Sequence, residues 1–224
     1  MPSGYIVKIN KGIIDDSFLP HGGASGPVNV IKKYGPGVYL IAGEFNQFNG
    51  KNYGKLVRLK SNGSVDETFN IGSSADGAIH DLAIDSQGKI IVVGNFSSFN
   101  GDLYSNIVRI NSDGTTDRSF ELDSGVDGAI NAVEIDLNGD IILGGDFKKV
   151  SGQNIKGIVK ITQNGNVVSG WSSGGFNDSV RDIDLHPNGN VLVLSLIHIS
   201  EPTRPERIGY GGWCGEKKMG GGGG

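Results

Sequence analysis

Cysteine is nearly absent from this chain of 224 residues, in which Cys214 is the only one. A single thiol cannot form a disulfide within the chain, and it cannot supply the several thiolates of a structural zinc site. Long hydrophobic runs are also missing, because the longest apolar stretches have four or five residues, whereas roughly 20 are needed to span a bilayer. Met1 to Tyr5 lack the basic and apolar regions of a signal peptide. The sequence predicts neither a disulfide scaffold nor a membrane span.

Helical periodicity and an excess of basic charge are absent as well. No segment sustains apolar residues at positions i, i+3, i+4 and i+7 over the length of a helix. The chain has 20 basic and 24 acidic residues, and it lacks the clustered lysines and arginines with which proteins neutralise phosphates. The sequence therefore predicts an all-β protein that does not bind nucleic acid.

What the chain does contain is a repeat of 51 residues. One aromatic residue and one glycine recur at this interval, and a Gly-x-Phe motif recurs with them. The positions are Phe18, Phe69, Phe120 and Trp171; Gly12, Gly63, Gly114 and Gly165; and the motifs that begin at Gly43, Gly94 and Gly145. Self-similarity at such a period is typical of propellers and solenoids, in which each unit buries its apolar face on its neighbours.

One unit, residues 79–129, has the strand pattern of a propeller blade. An alternating segment at 79–85 is followed by the fully apolar run 90–93, which is typical of a central strand covered on both faces. A third strand is predicted at 107–110 and a short outer strand at 115–120. Four strands in about 50 residues match one blade of a β-propeller.

The repeat divides the chain into units with the boundaries 28–78, 79–129 and 130–179. Partial units, 5–27 and 180–193, flank them. We therefore expect an all-β, β-propeller-like array of four-stranded antiparallel blades. Because the sequence starts and stops within a unit, we expect a truncated open arc of about four blades that adjoins neighbouring blades in a longer chain.

Residues 194–224 do not continue the repeat. A Gly-x-Phe motif is expected at 195–197, where the chain has Ser-Leu-Ile. The segment 194–204, LSLIHISEPTR, resembles the translated adapter of transposase-based sequencing libraries, and Gly220 to Gly224 resemble a run of G-only base calls. We interpret 194–224 as a non-native tail without packed structure. Removing its four basic and three acidic residues leaves 16 and 21, a net charge of −5, and no cysteine.

Two segments of the unit carry a family resemblance. Gln87 to Phe96 reads QGKIIVVGNF, and Arg109 to Phe120 reads RINSDGTTDRSF. Together they resemble the bacterial β-propeller repeats called delta-60 repeats, and the resemblance extends from Tyr5 to Val193. It implies a repetitive, extracellular or surface-associated protein without an established chemistry. The third unit departs from the pattern, since Val168 replaces the aspartate seen as Asp15, Asp66 and Asp117.

The repeated residues have structural interpretations beside functional ones. The aromatic series is read as packing between blades, with carbohydrate binding as the alternative. Asn111, Asp113 and Asp117 around Gly114 resemble a calcium loop, but a glutamate at its twelfth position is missing, and the alternative is a hairpin turn. We therefore predict no metal-binding, cofactor-binding or catalytic residues.

Acidic residues suited to general acid–base chemistry are numerous, but most recur in register. A single active site needs singular residues, so repeated carboxylates are read as structural. The candidates are Asp81, Asp85, Glu134, Asp136, Asp182 and Asp184. The histidines, His21, His80, His186 and His198, show no triad order or metal-ligand spacing. Lys32-Lys33-Tyr34 is the clearest departure from the register, where other units have Ile-Asp-Ser; a site and a solvated turn variant are its two readings.

Three functions remain open. The first is a noncatalytic scaffold for binding or display on a secreted or surface-associated protein, with a protein or glycan ligand and an extracellular or cell-surface location. The second is a structural spacer in a large envelope or virion protein. The third is a fragment of a propeller enzyme whose site lies in missing blades. We expect the protein not to be an enzyme.

Overall fold

The computed structural model of the chain describes residues 6–15, 17–18, 22–171 and 179–195. All regular elements in these ranges are β-strands. Among the residues described, no helix is long and apolar enough to cross a membrane. In chain order the strands are β1 (Ile9–Asn10), β2 (Ile13–Ile14), β3 (Val28–Gly35), β4 (Val38–Gly43), β5 (Gln47–Phe48), β6 (Lys51–Asn52), β7 (Leu56–Leu59), β8 (Ala78–Ile84), β9 (Ile90–Asn95), β10 (Ser98–Phe99), β11 (Asp102–Leu103), β12 (Ile107–Ile110), β13 (Ile130–Ile135), β14 (Ile141–Gly145), β15 (Lys149–Val150), β16 (Gln153–Asn154), β17 (Ile158–Ile161), β18 (Val180–Leu185) and β19 (Val191–Ser195).

The strands form successive antiparallel blades. Blade 1 contains β3, β4 and β7, blade 2 contains β8, β9 and β12, and blade 3 contains β13, β14 and β17. Blade 4 is described as the pair β18–β19. At the predicted fourth strand, each of the first three blades has a single bridge, such as Ile110 to Thr116. The all-β propeller prediction is confirmed, with the outer strand reduced to one bridged pair per blade.

Each blade has two different ends. Because neighbouring strands are antiparallel, the tight turn after the inner strand and the connection after the central strand lie at opposite ends of a blade. We call the first end the turn face. The other end carries a small hairpin in each of blades 1 to 3, formed by β5–β6, β10–β11 and β15–β16, and we call it the hairpin face. The sequence pattern does not predict these hairpins.

The central strands of blades 1 to 3 are buried on both faces, as their continuous apolar sequence predicts. In β9, Ile90 and Val92 pack in a cluster with blade 1, whereas Ile91 and Val93 pack in a second cluster with blade 3. Alternate side chains of a strand point to opposite faces of its sheet. One strand therefore serves two interfaces between blades.

A glycine at or next to the end of the central strand allows a close backbone approach in blades 1 to 3. A Cβ atom on Gly43, Gly94 or Gly145 would lie 2.1 to 2.2 Å from a carbonyl oxygen at the start of the inner strand, and glycine avoids this clash. Ser195 holds this place in blade 4, where Val180 pairs with it as Ile130 pairs with Gly145. Its hydroxyl donates to the carbonyl oxygen of Ser179.

The strand β19 thus ends at Ser195, two residues beyond the predicted boundary at Val193. The rest of the predicted tail, residues 196–224, lies outside the described residues.

A side-chain hydrogen bond at an equivalent position joins each pair of neighbouring blades. Asn29 and Asn131 donate from their side-chain amides to the carbonyl oxygens of Ile79 and Val180 in the next blade, each at 2.9 Å. His80 stands at the same place in blade 2, with Nδ1 at 3.0 Å from the carbonyl oxygen of Ile130. A carbonyl oxygen only accepts, so Nδ1 carries the proton. The histidine performs the task of an asparagine.

Candidate functional site

The repeated aromatic residues pack between blades. Phe69 belongs to the core cluster shared by blades 1 and 2, and Phe120 to the cluster shared by blades 2 and 3. Both rings are at least nine-tenths buried, and each is covered by a guanidinium group, Arg58 over Phe69 and Arg109 over Phe120. Buried rings with a cation on one face cannot stack on a sugar, so the packing interpretation is confirmed for these two residues.

The repeated aspartate is the acceptor of an ion-pair network. Asp117 accepts from Arg109 Nε and Lys89 Nζ, each at 2.7 Å, through Oδ2. Its other oxygen accepts from the backbone N–H and the hydroxyl of Ser119. Burial alone would raise the pKa of Asp117, but the hydrogen bonds from Lys89, Ser119 and Arg109 outweigh it and hold the pKa well below its ordinary value.

This network uses the oxygens of the calcium-like segment. Asp113 Oδ1 accepts from the N–H and hydroxyl of Thr115, and Asn111 donates to the same hydroxyl. Asp117 is neutralised by two cations. This is the hairpin-turn interpretation of the segment. In the part of the chain that the structure describes, no group of three or more histidine, cysteine or acidic side chains is arranged to hold a metal.

The third unit compensates for Val168. Arginine stands at positions 58 and 109, but lysine at 160. Lys160 bonds to Asp136 at 2.6 Å and to Asp140 at 3.1 Å instead of the missing aspartate. The basic residue changed together with its partner.

Two of the candidate carboxylates cap turns. Asp85 accepts from the N–H groups of Gln87 and Lys89, and Asp136 accepts in the same way from Asn138 and Asp140. Side-chain acceptors at this spacing stabilise tight turns. The recurrence in register has a structural cause at both positions.

Two other candidate carboxylates, Asp81 and Glu134, lie near Lys32 on the inner strands of successive blades. Lys32 of β3 places its ammonium 3.7 Å from Asp81 of β8 and 3.7 Å from Glu134 of β13. Asp81 also accepts from the backbone N–H of Val133 at 3.0 Å and from its neighbour Leu82. The register break at Lys32 therefore supplies the cation of an ion cluster that spans three blades.

The carboxylates of this cluster are hard to ionise. Burial raises the pKa of Asp81, against the hydrogen bond from Val133 and the charge of Lys32, and Asp182 raises it further. Burial also raises the pKa of Glu134; Lys32 opposes this rise, and the charges of Asp81 and Asp184 add to it. Without Lys32, the inner strands would bring four acidic groups together without the neighbouring cation that β3 supplies. These groups are Asp81, Glu134, Asp182 and Asp184.

The other residues noted in the sequence are Lys33, Tyr34 and the histidines, and they have different environments. Tyr34 donates its hydroxyl to the carbonyl oxygen of Gly88 in the next blade at 2.8 Å, whereas Lys33 is exposed. His186 Nδ1 lies 3.3 Å from the backbone N of Asn188 in a turn. His21 and His198 lie outside the described residues.

A groove of about 570 Å³ lies on the hairpin face of blade 2. The end of β11, the segment 118–120 and the connection 121–125 to blade 3 form its walls. Its polar lining contains Asp102, Tyr104, Arg118, Glu121 and Asp123, and its apolar lining includes Leu103 and Leu122. A volume of this size suits a small ligand or the side chains of a larger one. The sequence pattern did not predict this groove.

The charged residues of this groove differ from those at the equivalent positions of blade 1. In blade 1 the Tyr53 hydroxyl donates to Glu67 at 2.6 Å, and Lys51 pairs with the same carboxylate. The corresponding residues of blade 2 are Tyr104, Arg118 and Asp102, and here Arg118 pairs with Asp102 at 2.9 Å. Because the two charges are exchanged, Arg118 holds in blade 2 the position that Glu67, the acceptor for Tyr53, holds in blade 1. Among the described residues, Tyr104 has no hydrogen-bond partner for its hydroxyl.

Comparison with known families agrees with the repeat. Residues 37–69, 86–120 and 138–167 match the family described as domain of unknown function DUF5122, a β-propeller. The three matched segments fall one in each of blades 1 to 3. The matches indicate that the chain has the repeat of a β-propeller. A search of curated protein sequences finds no match to it.

Solved structures resemble the chain in fold. The WD40 β-propeller domain of Doa1 is 18% identical with a TM-score of 0.53, and the match covers 76% of this chain and 48% of the Doa1 domain. The chain thus spans about half the length of that domain. An extracellular domain of a one-component system from B. thetaiotaomicron is 14% identical, with a TM-score of 0.45 over 75% of this chain and 20% of its own. A gluconolactonase candidate is also 14% identical, with a TM-score of 0.46 over 80% and 64%.

Proposed function

We propose that the protein is a noncatalytic propeller scaffold that binds a ligand at its hairpin face, on a secreted or surface-associated protein. One observation carries this proposal: the groove of blade 2 holds polar groups that the fold does not use. Glu121 and Asp123 accept no hydrogen bond from any described residue, and the hydroxyl of Tyr104 lacks the acceptor that Tyr53 has. Side chains without a structural task, held on a rigid frame, are suited to recognition.

The carboxylates considered for catalysis support a noncatalytic role. Asp85 is occupied by turn N–H groups, and Asp136 is occupied by turn N–H groups and by Lys160. Asp81 is held by a backbone N–H and Lys32. Groups held in this way maintain the blades, and a general acid or base needs access to a substrate.

A binding screen with the full chain tests the proposal. The immobilised protein is exposed to a glycan array and to peptide pools of different charge, and each positive ligand is measured again with the variant Tyr104→Phe and with Tyr53→Phe as its matched control in blade 1. We expect a ligand that binds more weakly to the Tyr104 variant alone. Silence across all ligands would favour the structural spacer, and turnover of any of them would favour the enzyme.

We also propose that the sequence from residue 194 onward is adapter-derived and that the natural repeat is of the delta-60 type. Two features support this: the LSLIHISEPTR segment, and Ser195 at a place where three blades have a glycine. Long-read DNA sequencing across codon 193 tests it. A gene that continues with Gly-x-Phe would agree with the proposal, and a genomic Ser-Leu-Ile-His segment would refute it.

A further inference from the structure

We infer that the groove on the hairpin face of blade 2 binds a basic peptide segment, whose lysine or arginine side chain pairs with Glu121 and Asp123 while Tyr104 supplies a hydrogen bond. This inference rests on the proposed binding function and adds the chemical class of the ligand. The ligand class follows from the charged groups of the groove that no neighbouring side chain neutralises.

One acidic group of the groove is already neutralised. Asp102 is paired with Arg118 at 2.9 Å, so these two charges cancel. Glu121 and Asp123 have no such partner among the described residues, which leaves two negative charges beside the groove. Charge complementarity at close range selects the sign of a partner and accelerates its association. The lining therefore favours a cationic ligand over a neutral or acidic one.

The negative charge is peculiar to this blade. At the positions equivalent to Glu121 and Asp123, 51 residues earlier, blade 1 has Asn70 and Gly72. Asn70 is occupied there, since its side-chain oxygen accepts from the N–H of Gly72. The acidic pair is thus no requirement of the repeat. A singular group on a repeated frame indicates a local task.

The apolar lining suits the stem of a long basic side chain. Leu103, on the tip of the β10–β11 hairpin, is 89% exposed, and Leu122 lies partly buried in the opposite wall. Lysine and arginine bury their methylene groups on apolar surface while the charged end seeks polar partners. The Tyr104 ring adds a face for a cation, and its hydroxyl can donate to a peptide carbonyl. A neutral sugar would form no ion pair with Glu121 or Asp123.

The test compares capped octapeptides of matched length that carry lysine, norleucine or glutamate at alternate positions, together with a neutral oligosaccharide. Binding to the full 224-residue chain is measured by fluorescence anisotropy or calorimetry at 50 and 200 mM salt. We expect the lysine peptide to bind at least fivefold more tightly than the others, and to weaken with salt because exposed charges are screened.

Variants locate the site. The double variant Glu121→Gln with Asp123→Asn should weaken lysine-peptide binding at least fivefold. The control is Glu44→Gln with Asp146→Asn, two exposed carboxylates outside the groove, which changes the net charge equally. A second variant, Arg118→Glu with Asp102→Lys, restores the blade 1 arrangement; it keeps the net charge but gives the Tyr104 hydroxyl an acceptor, so it too should weaken binding.

The outcomes separate the two proposals. Equal binding of the lysine, norleucine and glutamate peptides, or equal loss in the groove and control variants, would overturn the basic-peptide inference. Specific binding of the oligosaccharide or the glutamate peptide that Tyr104→Phe weakens would overturn the inference but support the proposed function. Failure of every ligand to bind the folded protein would overturn both.

Discussion

Arg118 pairs with Asp102 across 2.9 Å, and the pair repeats the Lys51–Glu67 contact of the preceding blade with the two charges exchanged. Both pairs tie the hairpin of a blade to its outer segment. In blade 3 the same positions hold Gln153 and Ser169, which carry no charge. The fold accepts either orientation of the pair, and only the orientation in blade 2 leaves a tyrosine hydroxyl free.

Charge exchange predicts the effect of single and double substitutions. Arg118→Glu places two negative groups together and should lower the free energy of unfolding by about 0.5 kcal/mol, the range of exposed ion pairs. Adding Asp102→Lys should restore most of the loss. Urea denaturation of the two single variants and the double variant measures the coupling. Additive effects of the two substitutions would contradict a direct pairing.

Lys32 is predicted to stabilise the inner strands at neutral pH. Lys32→Met removes the cation between Asp81 and Glu134, and we expect a loss of about 1–2 kcal/mol at pH 7, between the values for exposed and buried pairs. Lys33→Met, at the exposed neighbour, is the control and should change little.

The loss in Lys32→Met should depend on pH. The folded pKa values of Asp81 and Glu134 are raised above 3.8 and 4.5, so their contribution to stability is full below these values and is lost as pH rises through the folded pKa. Removing Lys32 raises the folded pKa values further. The destabilisation should therefore shrink as the pH falls to about 4, and a constant loss between pH 7 and 4 would contradict the ion cluster.

Asp117 is predicted to be the most sensitive carboxylate to lose. It is 8% exposed and paired with buried Arg109, and breaking such a pair leaves an uncompensated buried charge. Asp117→Asn should cost about 2–4 kcal/mol at pH 7. Its matched control is Asp113→Asn, at an exposed turn position.

Acid unfolding checks the sign of this prediction. Because the folded pKa of Asp117 lies below 3.8, its contribution is present above that pH and is lost as the pH falls through the folded pKa. The difference between the wild-type protein and Asp117→Asn should narrow below about pH 4. A difference that widens in acid would show that the network is not electrostatic.

A side chain at Gly94 is predicted to destabilise blade 2. A Cβ atom there would lie 2.1 Å from the carbonyl oxygen of Ala78, so Gly94→Ala forces the strands apart and should cost about 2–4 kcal/mol. Gly35→Ala is the control, since nothing lies within 4 Å of its Cβ position. Thermal unfolding of the two variants should separate them clearly, and equal melting temperatures would refute the close approach.

His80 is predicted to be replaceable by asparagine. His80→Asn should retain the hydrogen bond to Ile130, as Asn29 and Asn131 do in their blades, and should change stability little. His80→Leu leaves the carbonyl oxygen without its donor and should cost about 1–2 kcal/mol. If both variants are equally destabilised, the side chain serves another purpose.

The blades follow from signals that can be read in the amino-acid sequence. The 51-residue spacing and the apolar runs such as 90–93 are periodic or local signals, and a repeat and a strand follow from them directly. The packing role of Phe69 and Phe120 was predictable for the same reason, because recurrence beside a strand indicates a core position. The small hairpins were missed, since two-residue strands carry too short a pattern to detect.

Which polar residues meet depends on how the blades pack in the folded chain. Asp81 lies 49 residues after Lys32, and Glu134 lies 53 residues after Asp81. They approach because each stands on the inner strand of its blade. Tyr104 looks like Tyr53 in sequence, and its free hydroxyl depends on which charge lies across the groove. A repeat fixes where each side chain stands within its blade, but contacts between and across blades arise only when the chain is folded, because they join residues that no local pattern relates.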